Sequence, residues 1–234
     1  MDERGPSLVG SAPVLCEGLA QPQNQTCGKD RTKLTFKTAA VPWKVQNSET
    51  KMKRNEALQL MHEYVQSESL RRHMLAVEAA MRAYAQSLGE DVEKWGVVGL
   101  LHDFDYERWP KPPDHPTRGS EILRRRHYPD DVIYAILSHA DYLPDYPRVS
   151  TLDKALYACD ELSGFLVACA LVRPDRLNGL EPKSVRKKLK NISFAAAVNR
   201  TDITRGAEDF GVDLDEHIAF CVAALHGISD QLFD

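Results

Sequence analysis

From Asn55 onward, apolar residues recur at intervals of three and four almost everywhere, and no run of alternating β-branched residues interrupts them. Leu58, Met61 and Val65 mark a first helix. Leu70, Met74, Val77, Met81, Tyr84 and Leu88 form the single stripe of a second, which Gly89 stops. A third helix, from about Asp91 to Asp103, is apolar on most sides and is predicted to run through the centre. The Pro-rich passage from Trp109 to Pro116 reads as a loop, and Pro116 and Pro129 each suit the first turn of a following helix. Ser150-Thr-Leu-Asp153 has the form of a helix start and opens a long apolar helix through Ala170. Short helices are predicted at Pro182 to Lys190 and Thr201 to Phe210, then a last one carrying Leu214, Ile218, Cys221, Leu225 and Ile228. The fold class is therefore all-α, with no internal repeat and no second independent domain.

The first fifty residues break this pattern. They are rich in Pro, Gly, Ser, Asn and Gln and scatter their few hydrophobes, so they bury too little to offset the entropy of ordering. Residues 1–51 are expected to be a disordered extension without a catalytic role. Residues 52–234 are expected to form the functional domain, with a motif core over 55–170 and closing helices over 182–232.

Composition narrows the partners. A net charge of −4 and a pI near 6.1 give no broad electrostatic case for nucleic acid or an anionic membrane. No apolar run approaches the roughly 20 residues needed to span a bilayer. Five cysteines form an odd set without redox or metal spacing, and those within helical patterns read as small hydrophobes. A reducing, cytoplasmic setting is the expectation, and self-association is left open.

The chemistry lies in the histidines. Four of eight fall into an ordered series with two aspartates: His73, the adjacent pair His102-Asp103, His115, His139 and Asp160. A lone histidine on an apolar shoulder is usually only a hydrogen-bonded core residue. This series is different, because each donor sits at a helix end or on a buried face, where bundle-type metal sites are assembled. Asp160 in particular lies mid-helix among apolar residues, where an unpaired carboxylate is costly and a cation would resolve the cost. Six nitrogen and oxygen donors suit a pair of divalent transition metals, with iron, manganese, zinc or cobalt favoured over magnesium by the imidazoles. Asp103, with two oxygens, could bridge the ions while His102 holds one. His62, His127, His217 and His226 are assigned to surfaces, helix ends or packing.

The stretches Leu70-Arg-Arg-His73, Val98-Gly-Leu-Leu-His102-Asp103, Asp114-His115-Pro-Thr-Arg, Ala135-Ile-Leu-Ser-His139 and Leu152 to Asp160 together resemble the HD superfamily of metal-dependent phosphohydrolases. The resemblance spans roughly Asn55 to Ala170 and implies a helical bundle with additional C-terminal helices. Its spacing is most similar to a branch that hydrolyses dinucleoside polyphosphates at a di-iron centre. Carried over, it assigns His73, His102, Asp103 and Asp160 to one ion, and Asp103, His115 and His139 to the other. The segment Phe104-Asp-Tyr-Glu-Arg-Trp-Pro departs from that branch, so its substrate does not transfer with the ligands.

What the resemblance implies is hydrolysis of a phosphoester or phosphoanhydride, with His102 and Asp103 at the reacting centre and a small phosphorylated molecule, a nucleotide above all, as substrate. Arg118 and Lys187 are the candidate substrate-phosphate contacts, although the basic run from Lys183 to Lys190 reads more simply as a solvated helix face. Tyr106 and Trp109 could stack on a base. Two other classes stay open: a di-iron oxygenase on the same scaffold, and a metal-binding regulatory module without turnover.

Overall fold

The structure, a computed structural model, describes residues 53–234, so the expectation of a disordered extension over 1–51 lies outside the described residues. Ten helices and no strand are found among them: α1 (Arg54–Tyr64), α2 (Glu68–Leu88), α3 (Val92–Leu101), α4 (Asp114–Arg125), α5 (Asp130–Ser138), α6 (Thr151–Leu171), α7 (Pro182–Leu189), α8 (Arg200–Phe210), α9 (Leu214–His226) and α10 (Ser229–Phe233). None is long and apolar enough to cross a membrane. The all-α fold class read from the sequence is the one observed.

The two longest helices organise the core. In α2, the stripe residues Met74, Val77 and Met81 are fully buried, whereas Leu88 at its end is exposed. Ser67 caps the start of α2 by accepting from the Leu70 N–H. Gly89 ends it in the left-handed region at φ 73°, a conformation that penalises a residue with a Cβ. In α6, a capping box between Ser150 and Asp153 satisfies the first N–H groups. That helix then buries Leu156, Leu162, Phe165 and Leu166. α2 packs on α3 and α6, and α6 packs on α8 and α9. The short α3 threads this centre, with every residue from Trp95 to Leu101 buried.

Three boundaries differ from the sequence-based expectation. α3 stops at Leu101; His102 is its C-cap and Asp103 lies in the following turn, which frees the carboxylate from helical geometry. His115 and Pro116 both have non-helical angles, so Pro116 precedes the regular turns of α4. α9 ends at His226 and Ile228 caps a further short helix, α10, which the apolar spacing alone did not separate.

Candidate metal centre

Five segments meet where α3 ends. α2 contributes His73, the end of α3 contributes His102 and Asp103, the kink of α4 contributes His115, the end of α5 contributes His139 and the middle of α6 contributes Asp160. His73 Nε2 stands 3.1 Å from His102 Nε2 and 3.1 Å from Asp160 Oδ1. His102 Nε2 is itself 3.3 Å from that Asp160 oxygen. All six residues singled out from the sequence are brought together.

Asp103 faces both halves of this cluster. Its Oδ2 lies 3.7 Å from His73 Nε2 and 3.5 Å from His102 Nε2. Its Oδ1 lies 3.2 Å from His115 Nε2 and 3.5 Å from His139 Nε2. Two groups of donor atoms, each within 4.8 Å of one another, therefore share this one carboxylate.

The imidazoles are oriented as metal-binding imidazoles are. His102 donates from Nδ1 to the Gly99 carbonyl, His139 from Nδ1 to the Ile136 carbonyl, and His115 from Nδ1 to Asp105 at 2.7 Å. With Nδ1 carrying the hydrogen, each Nε2 presents its lone pair to the centre. A ring of inward imidazole nitrogens and carboxylates with no lysine or arginine among them fits a bound metal. His73 reaches its place because α6 carries Gly164 opposite it, where a Cβ would stand 3.3 Å from His73 Nδ1.

The electrostatics ask for positive charge. Burial pushes the His102 imidazole down, but the Asp103 and Asp160 carboxylates outweigh it and hold the ring well above its ordinary value. His115 shows the same balance, with burial opposed by Asp103 and Asp105, and is raised to about 9. Asp160 is raised by burial yet ends below the carboxylate range because His102 and His73 face it. In the protein alone these sites favour protons; a metal cation would satisfy the same carboxylates.

A cavity of about 530 Å³ opens onto the cluster, lined by His73, Asp103, His115, His139 and Asp160 together with residues of the outer wall. Among the latter are three tyrosines, Tyr106, Tyr142 and Tyr157, and the acids Asp141, Glu161 and Asp202. Tyr106 packs edge-on against His115, and Tyr142 donates to the His115 carbonyl at 2.7 Å. Burial and the charge of Asp160 raise the Glu161 carboxyl to about 7.

Not every predicted contact is found there. Arg118 does not line the cavity; it is exposed and bonded to Asp114 at 3.2 Å on its own helix. Lys187 is likewise exposed on α7 and absent from the lining, as is Trp109, which packs beside Tyr64. The direction of a side chain around a helix whose first turn is broken at Pro116 was not readable from spacing. Conversely, Asp105 is fully buried and supports both His115 and the Gly119 N–H, a role the sequence reading missed although an acid between Phe104 and Tyr106 signalled it. Tyr142 and Tyr157 carried no such signal.

Residues 70–164 match the family model of the HD domain. Ribonuclease Y of Desulfotalea psychrophila is 35% identical over 98 residues, which is 39% of this chain and 17% of that protein. Ribonuclease Y of Nitratidesulfovibrio vulgaris (strain DP4) is 31% identical over 104 residues, 42% of this chain and 18% of the relative. The chain thus spans under a fifth of the length of these curated relatives. No solved structure gives a significant match.

Proposed function

We propose, from the premise that this chain carries an HD domain across residues 70–164, that the protein is a metal-dependent phosphohydrolase acting on a small phosphorylated molecule, with a nucleotide as the favoured class. The observation that carries the reading is Asp103, whose two oxygens face two separate donor groups, as a carboxylate bridging a pair of ions would. His73, His102 and Asp160 would complete one ion's shell, and His115 and His139 the other's.

Bound divalent ions would supply Lewis-acid polarisation of a phosphoryl oxygen and acidify a water. The chain's own residues do the rest. Asp103 fixes the spacing of the two halves, and Asp105 holds His115 in one tautomer. Tyr106 and Tyr142 wall the cavity beside His115.

Two features bear on the substrate. The cavity volume falls in the range of small-molecule sites, and the exposed rings of Tyr106 and Tyr142 are the candidates for stacking on a base, since the Tyr157 ring is covered by Arg148. No lysine or arginine lines it among the described residues. A long polyanion, which draws its affinity from many basic contacts, is therefore a poorer fit than a compact phosphate held by the metals.

The reading is tested by metal analysis of the purified protein and a phosphate-release screen over nucleotides, dinucleoside polyphosphates, sugar phosphates and a single-stranded RNA. Phosphate release that chelation abolishes and metal restores is the expected result. Oxygen consumption that requires iron would favour the oxygenase instead, and ligand binding without any product would favour a regulatory module.

A further inference from the structure

We propose that Cys159, His217 and Cys221 form a second, fully buried metal site that binds one thiolate-preferring dication of the zinc class, independent of the His/Asp centre. The three residues come from α6 and α9, helices packed against each other. Their donor atoms all lie within 4.8 Å of one another, and each residue is 0% exposed.

Geometry favours a ligand set over simple packing. His217 and Cys221 are four apart on α9 and so share one helix face. His217 Nε2 donates to the Ala158 carbonyl at 3.0 Å, which leaves Nδ1 with its lone pair directed toward Cys221 Sγ, 3.7 Å away, and the Tyr84 hydroxyl, 2.6 Å away. His102 and His139 are likewise anchored to a backbone carbonyl through one ring nitrogen, although they donate from Nδ1 and present Nε2, the reverse of His217. Bond lengths of about 2.3 Å to sulfur and 2.0–2.1 Å to nitrogen require a sulfur–nitrogen edge of roughly 3.5 Å at a tetrahedral ion. The observed edge is already close to it.

Charge makes the same case. Two thiolates and a dication sum to zero, so the loaded site would leave no net charge in the apolar core. Uptake would release the two thiol protons to solvent. The Tyr84 hydroxyl, which now donates to His217 Nδ1 at 2.6 Å, would give up that bond when Nδ1 turns its lone pair to an ion. Successive residues on a helix diverge by about 100°, so Cys159 can face α9 while Asp160 faces His73 and His102. The ion would thus pin α9 to α6 one residue from the catalytic cluster. The sequence carried a signal for it, the spacing of His217 and Cys221, which an inventory of cysteine pairs passes over.

The test is cobalt(II) loading of the reduced full-length protein without oxygen, read by absorption. Thiolate ligation gives a near-ultraviolet charge-transfer band that imidazole and carboxylate ligands do not, so the His/Asp centre cannot produce it. The band is expected in the wild type, in the Cys16→Ser/Cys27→Ser double variant and in Cys169→Ala, and is expected to be lost in Cys159→Ala and Cys221→Ala. Zinc should bleach it and raise the melting temperature. A natively folded wild type without the band overturns the proposal, whatever the folding of the cysteine variants. So does a band that vanishes in Cys16→Ser/Cys27→Ser, or a native mass two hydrogens lighter that maps to a Cys159–Cys221 disulfide.

Discussion

Asp105 accepts a 2.7 Å hydrogen bond from His115 Nδ1 while its other oxygen accepts from the Gly119 N–H at 2.7 Å, tying the turn after His102-Asp103 to the start of α4. Through this pair a residue that touches no proposed ion sets the direction of one proposed ligand. Asp105→Ala releases the ring, and metal affinity is expected to fall by about 10–100-fold, the usual effect of losing such a support. Competition against a chromophoric chelator measures it; an unchanged affinity in a folded variant would show that His115 needs no such support.

Gly164→Ala separates helix stability from site geometry. Alanine is a better helix former than glycine by about 1 kcal/mol, which favours α6. The new Cβ would stand 3.3 Å from His73 Nδ1, so the imidazole must give by a few tenths of an ångström. The expected outcome is a melting temperature equal to or above that of the wild type, with weaker metal binding and slower turnover. Equal metal affinity in both proteins would contradict the claim that Gly164 makes room for His73.

Glu107 links the segment after the His-Asp pair to the start of α2, accepting 2.9 Å bonds from the Gln66 and Ser67 N–H groups. These bonds, Ser67 first, hold its carboxyl below the ordinary 4.5 in the folded protein. The stabilisation is therefore fully present above that value and is lost as pH falls through the lowered one. Glu107→Ala should melt below the wild type at neutral pH, with a gap that closes in acid. A gap independent of pH would mean that the charge is not what anchors this turn.

Arg118→Ala and Lys187→Ala are expected to leave KM unchanged, because neither side chain lines the cavity. Steady-state kinetics on the substrate that emerges from the phosphate-release screen provide the check. A marked rise in KM for either variant would mean that substrate reaches beyond the cavity.

Much of the architecture was legible because burial is periodic. Met74, Val77 and Met81 declared α2, and Ser150 with Asp153 declared the start of α6. The six donors were legible for a related reason: polar residues such as Asp160 at apolar positions are costly without partners. What spacing could not supply was direction in space. The kink at His115-Pro116 changed where the residues of α4 point, so Arg118 lies outside the cavity lining, and Asp105 gained its role only when the chain brought it against His115. Cys159 and Cys221 meet across two helices distant in sequence, and Tyr142 and Tyr157 reach the cavity from different elements. Such encounters depend on tertiary packing rather than local pattern.

The most direct test of the central claim is the number of manganese(II) ions bound at equilibrium by the wild type and by Asp103→Ala, since manganese suits imidazole and carboxylate but not a thiolate cage. The account predicts two magnetically coupled ions per wild-type chain, with the coupling abolished and occupancy reduced when the shared carboxylate is removed. A folded wild type that binds no manganese, iron or zinc through these residues, or an Asp103→Ala variant that binds them as well as the wild type, would contradict it.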